Sequence, residues 1–499
     1  MRHAWLVILL AVVGCGRRGS LYEGAIAPLP LVGTSNALVQ VVPATRRAVL
    51  VTPGAVTPSA VVIGAGARVA ARVPGADLVA ILSGSARAPR LELLDTETRE
   101  LTVLDPGSAF DRITFSPEGR FAVLTADFER TSGLAARNLN EAALLDVPSR
   151  TVTRLQLDVE GLAPRLVTFG PVETNRRLVA VALERGVALF DATRPEVPAR
   201  RISLRPPGST VENSVSQVLF SRDARWLYLR ATGLDDVVVI ELGSETGAPV
   251  SASINFVAGG TGLVDLELAP PSLPDSVVAL YAGTPELVVL DARGIEDNVR
   301  RLTLPQVMGA MERLSDRRVL VWGASVAAAW DVIDGRSGVA TLLGTPERVT
   351  VSPGSERVML SQASSATAPG VLTALTVSEE PNRLRLRTQP IQLARKPTAS
   401  AVSSDGETMF LAVPPGTGST QTALVTVDVR TLALAEVLLD APVVNLFQLP
   451  SSGVLAAEHS GNVLGDVSLV PAGATERLSV TRLSDFALTG DLDRPEDRP

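Results

Sequence analysis

A short apolar run recurs along the whole chain behind a tight turn, and this recurrence constrains the fold more than any single motif does. Arg120 precedes FAVLT, Arg177 precedes LVAVA, Arg225 precedes WLYLR, Arg318 precedes VLVWG and Arg357 precedes VMLS. Copies without the arginine follow Asp77, Ser276 and Thr408. Turn signals stand ahead of several copies, at Ser116-Pro117-Glu118-Gly119, Ser352-Pro353-Gly354 and Ser404-Asp405-Gly406. Proline presets φ, glycine tolerates positive φ, and Ser or Asp bonds the turn backbone, so each copy reads as strand, hairpin turn, strand. A second apolar run follows each hairpin and ends in an aspartate: Asp95, Asp146, Asp191, Asp291, Asp331 and Asp428. Each is placed to cap the next turn, after which another apolar stretch returns.

One repeat is therefore about four short strands. Successive units begin near Val69, Arg112, Leu166, Gln217, Asp265, Met311, Arg348, Ser400 and Leu446, about 37 to 54 residues apart. Units of this kind resemble β-propeller blades, and turns such as FSPEGR with endings such as VLDAR are similar to the YVTN and WD40-like repeats of bacterial surface and periplasmic proteins. The resemblance implies an all-β fold, a single β-propeller of four-stranded antiparallel blades. Nine units and a partial copy near Ala48 to Val51 give seven to nine blades, with eight favoured. The strand near Leu38 to Val42 is expected to pair into the last blade. Two smaller propellers of four or five blades are the architectural alternative, against which stands the uniform composition between 200 and 300.

The N-terminus reads differently. Arg2, a short apolar run from Trp5 to Val13, small Gly14 and Cys15, the one cysteine of the chain, form a pattern too short to span a bilayer. It resembles a bacterial lipoprotein signal peptide, with Val12 and Gly14 at the positions the motif specifies and Cys15 as the lipidation site; an ordinary secretory signal is the alternative. The resemblance implies membrane anchoring through N-terminal acyl chains, palmitate among them. Gly16 follows the cysteine where an inner-membrane retention signal has Asp, so the expected address is the outer membrane, on its periplasmic face or at the cell surface. The expected division is a signal peptide and lipidation site at 1–15, a flexible tether at 16–36, the propeller at 37–488 and a tail at 489–499.

Composition excludes several chemistries. The net charge is −7 with no block of one sign, so no nucleic-acid partner is expected. After cleavage His459 is the one histidine and no cysteine remains downstream of Cys15. A His₂ or cysteine zinc site and a C-x-x-C-H haem site cannot then be built, and no cofactor is expected. Lys396, the sole lysine, lacks the glycine pattern of a P-loop. The nearest approach to G-x-S-x-G, Gly323-Ala324-Ser325-Val326-Ala327, lacks its last glycine. No catalytic residue is assigned.

Three features carry weaker signals. In Arg383-Leu384-Arg385-Leu386-Arg387 the alternation puts three guanidinium groups on one strand face. Such a ridge suits an anionic headgroup, an acidic glycan or an acidic partner; the plainer reading, an edge strand kept from pairing by like charge, is preferred. His459 lies in the polar stretch Glu458-His459-Ser460-Gly461-Asn462 and reads as an exposed loop residue. Asp331 of the Trp330-Asp331 dipeptide belongs to the repeat, and Asp235-Asp236 and Asp297-Asn298 read as solvated turns. The leading expectation is a lipid-anchored envelope module that binds a protein partner or acts as a scaffold. A lactonase-like or glycan-active enzyme, or a carbohydrate or peptidoglycan binder, is the alternative. Eleven Phe, four Trp and three Tyr weaken the glycan option. Converging acids at a channel favour an enzyme, and an exposed apolar patch favours a partner.

Overall fold

The apolar runs become strands, and the strands assemble into ten four-stranded antiparallel sheets in which chain neighbours pair. The structure is a computed structural model describing residues 27–489 except 56, 128–139, 159, 161, 174, 206–207, 209–211, 244–252, 296–297, 353–356, 363–368, 416–420, 461–464, 475 and 477–478. The ten sheets are propeller blades, spanning 32–62, 69–104, 112–156, 164–202, 215–257, 263–303, 310–341, 346–393, 399–439 and 443–484, here numbered 1 to 10. The expectation of seven to nine blades is thereby corrected to ten.

The additional blade is the first. Leu38–Val42 pairs with Val32–Gly33 and Arg47–Val51 inside its own sheet and not with the last blade. Its opening strand has two residues and its third strand ends at Val51, without the capping aspartate, so it lacks both marks of the repeat. Burial explains its place. All residues of Leu38–Val42 and Arg47–Val51 are buried, as expected of strands covered on both faces.

The chain divides into two compact units. Unit 1 contains blades 1, 2 and 10, nearly all of blade 9, and the first two residues of blade 3; unit 2 contains the rest of blade 3 and blades 4 to 8. In unit 1, Val39, Val41 and Leu50 pack on Ile81 and Leu94 of blade 2, while Leu38, Val49 and Val51 pack on Leu449 and Val467 of blade 10. Alternate residues of one strand thus serve neighbours on opposite sides. Unit 2 repeats the pattern, as where Val278 and Leu280 of blade 6 meet Val319 and Val321 of blade 7.

The repeat marks take the structural roles their chemistry suggests. Each of the six aspartates closes a third strand. Asp95 Oδ1 accepts from the N–H groups of Glu97 and Thr98 at 2.9 and 2.8 Å, and Asp191 and Asp291 cap the second residue after them in the same manner. At the opposite hairpin Ser116 Oγ accepts from Phe121 N–H at 3.0 Å and Gly119 sits at φ 74°, a conformation glycine takes without strain. Ser221 repeats this bond to Trp226 N–H at 2.9 Å, with Ala224 at φ 51° in the turn.

Candidate functional site

Two regions of unit 2 stand out. The first lies on the opening strands of blades 5, 6 and 7, Val215–Phe220, Leu263–Leu268 and Ala310–Arg313, which run side by side. Asp265 ties all three together: Oδ1 accepts from Gln217 Nε2 at 2.9 Å and Oδ2 from Met311 N–H at 3.1 Å. Gln217 completes the link by donating to Leu266 O at 2.8 Å and accepting from Leu266 N–H at 3.1 Å. Asp265 is therefore occupied in holding strands together.

Glu267 and Glu312 belong to the same cluster. Burial pushes the Glu267 carboxyl above its ordinary range; Glu312 and Asp265 add repulsion, whereas Leu268 N–H at 2.9 Å and the Arg313 guanidinium oppose the shift. Glu312 is raised by burial and by Asp265, again opposed by Arg313. Burial also lowers Arg222, which donates to Ala269 O at 2.5 Å. Carboxyl groups shifted toward neutrality beside guanidinium groups are able to donate a proton or hold an anion. Among the described residues, no three His, Cys, Asp or Glu side chains converge to hold a metal ion.

The second region is the rim of blade 7 at its central hairpin, Gly323 to Ser325. The linkers before and after the blade both lean on it: a Cβ on Gly323 would stand 2.9 Å from Val307 O, and Leu342 N–H donates to Ser325 O at 2.7 Å. This puts Val307, 56% exposed, and Leu343, 72% exposed, on either side of exposed Ala324 and half-buried Trp322. Four apolar side chains thus frame one edge of the blade.

The residues singled out in the sequence fall as follows. Cys15 and the signal segment, Asp297 and most of the tail lie outside the described residues. Arg383, Arg385 and Arg387 stand exposed on the outer strand Arg383–Leu393 of blade 8, with Leu384 buried beneath them. Glu380 Oε2 pairs with Arg383 at 2.7 Å and Glu380 Oε1 with Arg385 at 3.4 Å, partly neutralising the ridge. Asp235 caps a turn by accepting from Gly262 N–H at 2.8 Å.

His459 is not the exposed loop residue expected. It closes the buried strand Val454–His459, 4% exposed, because the apolar inward pattern of that strand runs through to its last residue. Nδ1 donates to Ala441 O at 3.1 Å, which leaves Nε2 to accept from Ser468 Oγ at 2.7 Å. Ser468 is itself 2% exposed, so the pair is a packed polar link and not an open nucleophile.

Burial lowers the His459 pKa from its ordinary 6.5. The folded chain thus holds the neutral ring, and the unfolded chain binds the extra proton as pH falls through about 6.5. This contribution is fully present above 6.5 and is lost as pH drops toward the folded value. The difference in urea midpoint between wild type and His459→Asn is expected to shrink from pH 7.5 to pH 5.5; a difference independent of pH would refute the assignment.

The glutamates escaped sequence reading because each shares a short strand with only one other charge, Asp265 beside Glu267 and Arg313 beside Glu312. The available signal was the interruption of first strands LVDLEL and AMER by carboxylates where other blades carry apolar or hydroxyl residues.

No known family model matches the sequence, and no curated protein matches it. Solved structures to which the chain is similar include the dihydro-heme d1 dehydrogenase NirN in complex with DHE, at 14% identity and TM-score 0.44, covering 73% of each chain. Apo AztD from Citrobacter koseri is similar at 11% identity and TM-score 0.35 over 64% of this chain and 87% of that one. The Myceliophteria thermophila Cps50 (Swd1) β-propeller domain is similar at 12% identity and TM-score 0.30, over 79% and 96%. The propeller assignment rests on the ten blades themselves.

Proposed function

We propose that this chain is a lipid-anchored cell-envelope propeller that binds a protein partner, serving as a scaffold or docking module. The observation that carries the reading is the rim of blade 7, where Val307 and Leu343 are 56% and 72% exposed beside Ala324 and Trp322. Solvent-facing aliphatic groups gathered on rigid hairpins and linkers suit a protein surface, because their burial contributes about 25 cal/mol per Å². The anchor is inferred from the lipobox-like segment ending at Cys15 and supplies the address.

The test combines mass, fractionation and capture. Wild type is expected to carry an acyl mass at Cys15 and to sediment with outer membrane, whereas Cys15→Ala is released. In detergent, wild type and Cys15→Ala should capture the same stoichiometric partner, and Leu343→Asp with Val307→Asp should weaken that capture at least tenfold. An unmodified Cys15 would remove the anchor, and capture indifferent to both rim substitutions would remove the docking face.

A second reading, an envelope enzyme of the lactonase-like or glycan-active kind, is favoured by Glu267 and Glu312 alone. It gains ground if the purified protein hydrolyses lactone or glycan substrates and loses that turnover in Glu267→Gln and Glu312→Gln.

A further inference from the structure

A groove of about 510 Å³ opens in unit 1 where blades 1 and 2 meet, lined in part by Arg46, Val62, Gly64, Gly66, Ser85 and Arg90. Three chain segments build it: the hairpin ending at Arg46, the linker from Ile63 to Arg68, and the hairpin from Gly84 to Ala88. They are tied to one another by their backbones. Ile63 N–H donates to Arg46 O at 2.9 Å, Gly84 N–H to Ala65 O at 2.7 Å, and the Arg68 guanidinium to Ser83 O and Gly84 O at 3.0 and 3.1 Å. The groove is therefore a fixed shape and not a gap between independent loops.

Its floor is set from below by Glu92, which is fully buried and accepts from Gly64 N–H at 2.8 Å. A Cβ on Gly64 would stand 2.6 Å from Glu92 Oε1 and 2.8 Å from Ser83 Oγ, so only glycine lets the linker lie this close. The walls are mostly apolar: Val62 is 58% exposed, and Ile63, Ala65 and Ala88 complete the surface. Against this background Arg46 and Arg90 are both exposed, and neither forms a salt bridge to a carboxylate among the described residues. Many arginines of this chain do form one, as Arg201 does with Glu160 and Glu212. Two exposed guanidinium groups without salt bridges in an apolar groove of an acidic protein form a local exception to its charge, with buried Glu92 the carboxylate that acts on Arg90.

We propose that this groove binds a small organic anion with an apolar body, its oxyanion held by Arg46 and Arg90 and its body laid along Val62 and the aliphatic arginine stems. Guanidinium groups suit carboxylate and similar oxyanions because their donors form a planar fork, and their stems extend the apolar wall. Burial raises the Glu92 carboxyl, opposed by Gly64 N–H, the Arg90 guanidinium and Ser83. The site is independent of the blade 7 rim.

Octanoate is the probe, with octanamide matching its body without the charge and acetate matching its charge without the body. Calorimetry on the wild-type protein is expected to give saturable one-site octanoate binding, at least tenfold weaker for octanamide and for acetate. Arg46→Ala with Arg90→Ala should weaken octanoate at least tenfold, and Val62→Asp should do likewise. The proposal is overturned if octanamide binds as tightly as octanoate, if the double arginine variant binds within twofold of wild type, or if wild type shows no saturable binding. The three-ligand comparison decides the matter on wild-type protein even where a variant fails to fold.

Discussion

Asp331→Ala should destabilise unit 2 by about 3–5 kcal/mol, the range found when one partner of a buried charge cluster is removed. Asp331 is fully buried and lies opposite Arg318 in the register of blade 7. Its Oδ1 accepts from the N–H groups of Ile333 and Asp334 at 3.1 and 3.0 Å. Its Oδ2 stands 3.2 Å from Arg317, 3.7 Å from Arg336 and 3.8 Å from Arg318. These are charge contacts at Oδ2 without hydrogen-bond alignment, so the attraction is spread over three cations. Arg318, only 3% exposed, also pairs with Glu379 and would keep one partner. The substitution thus removes two turn caps and the fully buried carboxylate among three guanidinium groups, while Arg317 and Arg336 keep the more exposed Asp334 at 2.6 and 2.7 Å.

The same aspartate in blade 2 separates these effects. Asp95 caps Glu97 and Thr98 in the same geometry, and the matching alanine there should cost about 1 kcal/mol, the contribution of ordinary hydrogen bonds. Asp331→Asn should fall between the two, since it keeps the acceptor and loses the charge. Urea denaturation followed by far-UV circular dichroism reads both units, and tryptophan emission adds a reading of unit 2, where Trp226, Trp322 and Trp330 lie. Equal losses at Asp331 and Asp95 would show that the repeat cap, and not the ion cluster, holds this corner.

The contrast between these aspartates also marks how far the sequence could be read. The nine expected unit starts fall within three residues of nine first strands, from Val69, which matches, to Leu446, where the strand begins at Val443. Local chemistry suffices there, because turn residues and strand-ending aspartates act within a few positions of themselves. Blade 1 read only as a partial copy near Ala48 to Val51, with Leu38–Val42 assigned to the last blade, because its third strand lacks the closing aspartate and its membership is decided by what it packs against. The acidic cluster was invisible for a related reason. Glu267 and Glu312 are 45 positions apart in the numbering and come together only because the first strands of blades 6 and 7 lie side by side. His459 misled because a polar stretch in sequence was read as an exposed loop, whereas Ser468 of the next strand and the Ala441 carbonyl of the linker before blade 10 supply its partners.

Gly338→Ala should be nearly as damaging, and its mechanism is steric. Blade 8 departs from the others in its last two strands, Gly370–Glu380 and Arg383–Leu393, which run eleven residues each. The added length carries this hairpin across the outer strand of blade 7, Ser337–Thr341. Leu384 is buried there among Leu320, Ala329 and Leu375, and Arg336 reaches Glu379 at 3.3 Å. A Cβ on Gly338 would stand 2.2 Å from Leu384 O and 2.8 Å from Leu384 C, both backbone atoms that cannot rotate aside. One of the two strands must move, at a cost of about 1–3 kcal/mol for an overpacked core and more where Leu384 leaves its site. Hydrogen exchange is then expected to rise in 383–387 and 337–341 together, while blade 4 keeps its protection. Glu379→Gln, which weakens only ion pairs to a half-exposed acid, should cost less than about 1 kcal/mol. If Glu379→Gln loosened the hairpin as much as Gly338→Ala, charge and not close backbone packing would be what fastens blade 8 to blade 7.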